Sequence, residues 1–221
     1  MKNEIKNALT ALLGHQTYGK LDLWLKILRV YLNRLLSAKK NINLHPSIEH
    51  MSGQYIQLQV NNAEVFFGYY DHSPISASGK LCLAMKIDSP NKVNMFNKDS
   101  LLESRADIGY FDLEDLESGF HKIGETPTWC WQQGARLRWY PEGSNQLIYN
   151  CIIGEAYGAV IQELGGEVVK HLKRPIYDLN KAGNKALSLN FSRLQRLRPG
   201  YGYSSLSDTT LTQLCPANDG V

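Results

Sequence analysis

Paired cysteines, long apolar runs, phosphate-cradling glycine loops and a strong charge of either sign are all missing from this 221-residue chain. Each absence narrows what it can be. The four cysteines, at 82, 130, 151 and 215, show no C-x-x-C spacing, and two of them alternate with apolar or aromatic residues in predicted strands. Buried free thiols are therefore expected rather than disulfides, which fits a reducing cytoplasm. A formal charge of +3 is too mild for a dedicated nucleic-acid binder, whose domain pI usually exceeds about 9 with clustered Lys and Arg. Residues 1–10 are polar and carry Glu4, and the apolar run at 8–13 falls short of the roughly 7–15 residues of a signal-peptide core, so no secretion signal is expected. The histidines at 15, 45, 50, 72, 121 and 171 lack metal-ligand spacing. Gly154 and Gly158 lack the strand–turn–helix context of a phosphate loop. No metal and no cofactor are expected.

What is present is an ordinary globular balance, 43% hydrophobic and 20% charged. Two regimes of periodicity divide it. Over residues 21–37, Asp22, Lys26, Arg29, Asn33 and Ser37 recur at steps of three or four and mark the polar stripe of an amphipathic helix. Its apolar arc spans roughly 240°, wider than the ~100° of a helix packed on one surface. Lys26, Arg29 and Arg34 interrupt it, so it is not the roughly 20-residue apolar run of a membrane span. Two readings stay open: a helix wedged between domains or subunits, or a peripheral anchor with Trp24 and Tyr31 at the headgroups of the inner membrane face and the basic residues toward anionic lipid. The polar residues up to 53 read as a linker, giving an N-terminal helical segment at 1–53 and a second domain at 54–221.

From Gln54 the period becomes two. Turns centred near Gly79, Gly143 and Gly183 each join two apolar strands, and Gly143 and Gly183 are 40 residues apart, close to the ~40–45 of a four-stranded propeller blade. The longer interval before Gly143 accommodates an insertion over 88–105. Between these turns lie further hairpins, 108–113 with 120–124, and 158–164 with 167–172 across Gly165-Gly166. The fold class read from this pattern is mainly β: a partial β-propeller of about two and a half antiparallel blades with an N-terminal amphipathic helix. Blade one covers about 66–125, blade two 133–173, and a third begins at Arg174. A propeller closes with typically 4–8 blades, so the expectation is either the N-terminal part of a longer protein or a sheet edge open to a protein partner.

The turns are similar to the hairpins of TolB-type and WD-repeat propellers. The blocks Phe66-Phe-Gly-Tyr-Tyr-Asp-His-Ser-Pro74, Trp129-Cys-Trp-Gln-Gln-Gly134 and 190–203 resemble a bacterial propeller family with no assigned reaction. The likeness covers roughly residues 65–221. It implies six or seven blades, a superfamily that includes the oligogalacturonate lyases, and an association with polysaccharide production. The chain departs from the superfamily by lacking the turn Asp in all three repeats.

In blade geometry, loops entering strand A and those joining B to C emerge on one face, and the three blocks fall there. Tyr70, Trp129, Trp131 and Tyr201 would offer flat faces, Gln132 and Gln133 paired donors and acceptors, and Arg193 and Arg198 forked donors for a carboxylate or phosphate. That combination suits a saccharide or an acidic glycan. Asp71 and His72 are the candidate acid and base; side chains alternate along a strand, so at most one of them is expected to serve. The alternative is a non-catalytic scaffold for protein–protein interaction.

Overall fold

The computed structural model describes residues 56–88, 104–217 and 219, all within the compact unit Ile56–Val221. The expected helix at 21–37, the linker and residues 89–103 of the expected insertion lie outside the described residues. Among the described residues no helix is long and apolar enough to cross a membrane.

The described chain is mainly β. Strands β1 (Ala63–Phe66), β2 (Leu81–Asp88), β3 (Ala106–Asp112) and β4 (Phe120–Thr126) form one antiparallel sheet in the order β1-β2-β3-β4. β5 (Arg138–Trp139), β6 (Gln146–Ile153), β7 (Ala156–Glu163) and β8 (Val168–Leu172) form a second in the order β5-β6-β7-β8. A two-stranded pair, β9 (Asp178–Leu179) with β10 (Ala186–Leu187), follows, and then the helix α1 (Phe191–Leu197). Short turns join β6 to β7 and β7 to β8, making neighbours in sequence neighbours in space, and both four-stranded sheets run in chain order.

The period-two pattern decides what is buried. Leu83, Met85 and Ile87 of β2 point to one side and join Ile108 of β3 and Leu147 and Tyr149 of β6 in a single cluster, with Trp129, Leu137 and Trp139 among them. On the other face of β6 and β7, Ile148, Ala159 and Ile161 pack with Ile176. The second sheet is thus apolar on both faces, each full burial of a Leu or Ile being worth roughly 1.5–3 kcal/mol. Its last strand differs: in β8, Val168 and Val169 are 45% and 50% exposed.

β5 is only 2 residues long. Gly134 and Arg136 both take positive φ, 58° and 54°, and a left-handed residue breaks the pleat before pairing starts at Arg138. The segment 190–203, expected as a loop, contains α1. The Asn190 side chain accepts a hydrogen bond from Arg193 N at 3.0 Å and caps the helix. Phe191, 0% exposed, faces inward and stacks on Tyr203 with ring centroids 4.2 Å apart.

One side chain knits these layers together. Asn150 of β6 is fully buried; its Nδ2 donates to Ile176 O at 2.8 Å and to Tyr203 Oη at 2.9 Å, and its Oδ1 accepts from Ile176 N at 2.7 Å. Its backbone N donates to Ala135 O and its backbone O accepts from Thr126 Oγ1. Four segments distant in sequence therefore meet at one residue.

Candidate functional site

Two glycines let the first distinctive block cross the second. Gly68, at φ 145°, would place a Cβ 2.9 Å from the Gln133 carbonyl oxygen, and Gly134, at φ 58°, one equally close to the Phe67 carbonyl oxygen. Only residues without a side chain allow two backbones to approach this closely. The crossing sets Tyr69 to His72 above the loop 128–136.

There the chain turns, β1 having ended at Phe66, so strand alternation no longer separates Asp71 from His72. Both meet Arg136. Its Nη2 donates to Asp71 Oδ2 at 2.8 Å and to His72 Nε2 at 2.6 Å. The Arg136 side chain is 1% exposed, and its guanidinium lies 4.8 Å from the centroid of the Tyr177 ring. Beside it, Arg138 Nη1 donates to Asp178 Oδ1 at 2.9 Å. Two cations and two carboxylates thus balance within the cluster.

A guanidinium can only donate, so the His72 Nε2 that receives Arg136 must carry a lone pair. The imidazole is therefore neutral, with its proton on Nδ1. The same conclusion follows from electrostatics: burial, then the positive charges of Arg136 and Arg138, push the His72 pKa below 6.5, with Asp71 and Asp178 pulling partly the other way. His72 thus offers a donor at Nδ1, and its Nε2 is already occupied. The carboxylate of Asp71, 33% exposed, is the acceptor that reaches solvent.

With the folded-state pKa below the unfolded one, the unfolded chain takes up the proton first. The stabilisation is complete above about pH 6.5 and is lost as pH falls from there toward the folded value. The thermal midpoint should fall between about pH 7.5 and about pH 5, and fall less steeply in His72→Gln. Equal slopes for the two proteins would place the imidazole outside this cluster.

Toward solvent the site carries aromatic faces. Tyr69 and Tyr70 lie with ring centroids 4.3 Å apart, and Tyr70 is 85% exposed. The Arg198 guanidinium rests 3.7 Å from the centroid of the Tyr201 ring. Arg198 is also near Tyr69: that hydroxyl is held above its usual pKa mainly by Tyr70, while the charge of Arg198 opposes the rise. Tyr69, Tyr70, Asp71, Arg198 and Tyr201 therefore share one region although they span 133 positions.

The remaining sequence candidates lie differently. Trp129 is 3% exposed, donates through Nε1 to Ser104 O at 3.1 Å, and belongs to the core. Trp131 is half-buried and packs on Phe66 and Trp129, with ring centroids 5.1 Å away in each case. Gln132 is exposed, and Gln133 is 6% exposed. Arg193 grips the chain that follows α1, donating to Thr210 Oγ1, Gln213 O and Leu214 O at 3.3, 3.3 and 2.9 Å. Arg136, Arg138, Tyr177 and Asp178 were not singled out from the sequence. The available signal was the alternation of Arg136 and Arg138 with Ala135, Leu137 and Trp139, two cations in an otherwise apolar stretch.

Three buried side-chain atoms have no hydrogen-bond partner among the described residues: Thr128 Oγ1, Gln133 Oε1 and Arg136 Nε. All belong to the loop 128–136. An unmet buried polar group costs roughly 1–3 kcal/mol, so this loop holds unused hydrogen-bonding capacity beneath the aromatic faces. Cys130, in the same loop, offers no thiolate, because burial raises its pKa to about 11. No protein-family model, curated protein or solved structure matches the chain.

Proposed function

We propose that this chain is part of a β-propeller that binds an acidic saccharide on the platform of Tyr69, Tyr70, Arg198 and Tyr201, above the Asp71–His72–Arg136 cluster. The observation that carries the binding site is the meeting of a tyrosine pair, Tyr70 exposed and Tyr69 partly so, with a guanidinium that forms no hydrogen bond to the described residues. The flat rings suit the apolar face of a pyranose, Arg198 suits its carboxylate, and Asp71 and the Nδ1–H of His72 suit its hydroxyls. The cluster beneath fixes the loop before the ligand arrives, which reduces the ordering cost of binding. The propeller reading is supported by two successive antiparallel meanders in chain order and by the apolar burial of both faces of the second. Four free cysteines fit a cytoplasmic location.

Calorimetric titration with a tetragalacturonate tests the binding. Tyr70→Ala should weaken it by roughly 1–3 kcal/mol, by analogy with other stacking losses, without moving the thermal midpoint, since a side chain this exposed makes few core contacts. Arg198→Gln should weaken it and flatten its salt dependence. A parent protein that shows no heat of binding would turn attention to the scaffold alternative, which the exposed Val168 and Val169 on β8 favour.

A further inference from the structure

We infer that the chain has a second binding site, for a small polyhydroxylated anion, in the cavity between the end of β8 and α1. The inference does not depend on the tyrosine platform. The cavity has a volume of about 810 Å³, within the roughly 300–1,000 Å³ of small-molecule sites. Lys173, Arg174, Glu155, Ser192 and Thr209 line it, beside the buried Phe191. Lys173 and Arg174 are adjacent in sequence, and in a strand they would point apart. They sit instead in a bend just after β8, and both face the cavity.

Arg174 is unlike the other described arginines. Arg105, Arg136, Arg138, Arg193 and Arg196 hydrogen-bond to described groups, and Arg198 lies on a ring. The Arg174 side chain has none of these partners among the described residues, and neither does the Glu155 carboxylate. No described group hydrogen-bonds either charge, and both residues line the same cavity. A guanidinium beside an ammonium recognises a carboxylate or phosphate, most strongly when the fork can bind two oxygens. Glu155 only accepts hydrogen bonds, and the Ser192 and Thr209 hydroxyls both donate and accept, so these groups call for ligand hydroxyls. The other lining carboxylate, Asp219, already accepts from Asn190 Nδ2 at 3.0 Å. An anion without donors would offer Glu155 nothing, and a neutral sugar would offer Arg174 no charge. A sugar acid or a sugar phosphate answers both.

Titration of the full chain with glucose 6-phosphate, glucuronate and glucose separates these chemistries. Both anions should bind more tightly than glucose, and whichever is tighter identifies phosphate or carboxylate as the preferred group. Arg174→Gln should weaken the preferred anion about tenfold, the loss of one charge-assisted hydrogen bond. Arg198→Gln should leave that affinity unchanged. Because Arg174 is exposed, the variant is expected to melt with the parent, so a binding loss reads the site and not the fold. Absence of anion binding, indifference to Arg174→Gln, or loss in Arg198→Gln instead would overturn the inference. The first two outcomes leave the tyrosine platform untouched, and failure of tetragalacturonate to bind leaves this cavity untouched.

Discussion

Replacing Asn150 by Leu, which keeps the number of side-chain heavy atoms, is expected to lower the thermal midpoint by about 6 °C or more. The substitution leaves Ile176 N, Ile176 O and Tyr203 Oη without the partners they now have at 2.7, 2.8 and 2.9 Å. Each buried group so orphaned costs about 1–3 kcal/mol, and even at the low end three of them total about 3 kcal/mol. A midpoint shift of about 2–4 °C per kcal/mol applies to a domain of this size. The hydrophobic gain of the Leu does not offset this, because Asn150 is already 0% exposed and the cost lies in groups that remain behind. Asn150→Asp provides the check. Its carboxylate still accepts from Ile176 N but meets Ile176 O with a charge; protonation restores a donor, so this variant should recover stability as pH falls while Asn150→Leu does not. A Leu variant melting within about 2 °C of the parent would show that the clamp contributes little.

Phe191→Ala is expected to cost about 3–5 kcal/mol, the usual range for emptying a buried aromatic site. The ring is 0% exposed and lies parallel to Tyr203 at 4.2 Å, and it anchors a helix of only 7 residues, too short to hold itself. The helix is followed directly by Arg198 and Tyr201, so tetragalacturonate affinity should fall together with stability. Leu197→Ala on the same helix is the control: its side chain is 62% exposed and its loss should stay within about 0.5 kcal/mol. If Phe191→Ala melts early but binds tetragalacturonate unchanged at low temperature, Arg198 and Tyr201 do not belong to the platform.

Local chemistry carried much of the strand plan. Gly165-Gly166 between alternating apolar segments marks the β7–β8 turn, and the turns near Gly143 and Gly183 separate β5 from β6 and β9 from β10, whereas the turn near Gly79 is preceded only by the isolated bridge Ile75–Cys82, not by a strand. The sequence was read less well where one residue can serve two elements. Asn190 is both a turn former and a helix cap, and only the burial of Phe191 against Tyr203 turned its segment into α1. Trp129 and Trp131 looked equivalent as alternating aromatics beside a strand. Trp129 lies in the core with its indole N–H spent on Ser104 O, while Trp131 remains half-buried.

By itself, then, the sequence determined a mainly β chain and several of its hairpin turns, because alternation and turn chemistry act over a few residues. It also marked Tyr70, Asp71, His72, Arg198 and Tyr201 as candidates. Which partners they meet was decided by tertiary structure alone. Arg136 reaches Asp71 and His72 across 65 and 64 positions, and no local rule pairs residues at that separation. The close crossing of Gly68 and Gly134 brings them together, and the lack of any acceptor on a guanidinium then fixes the proton on His72. Asn150 likewise reads as an ordinary polar residue in a strand until packing leaves it with no water to bond and a complete set of buried partners.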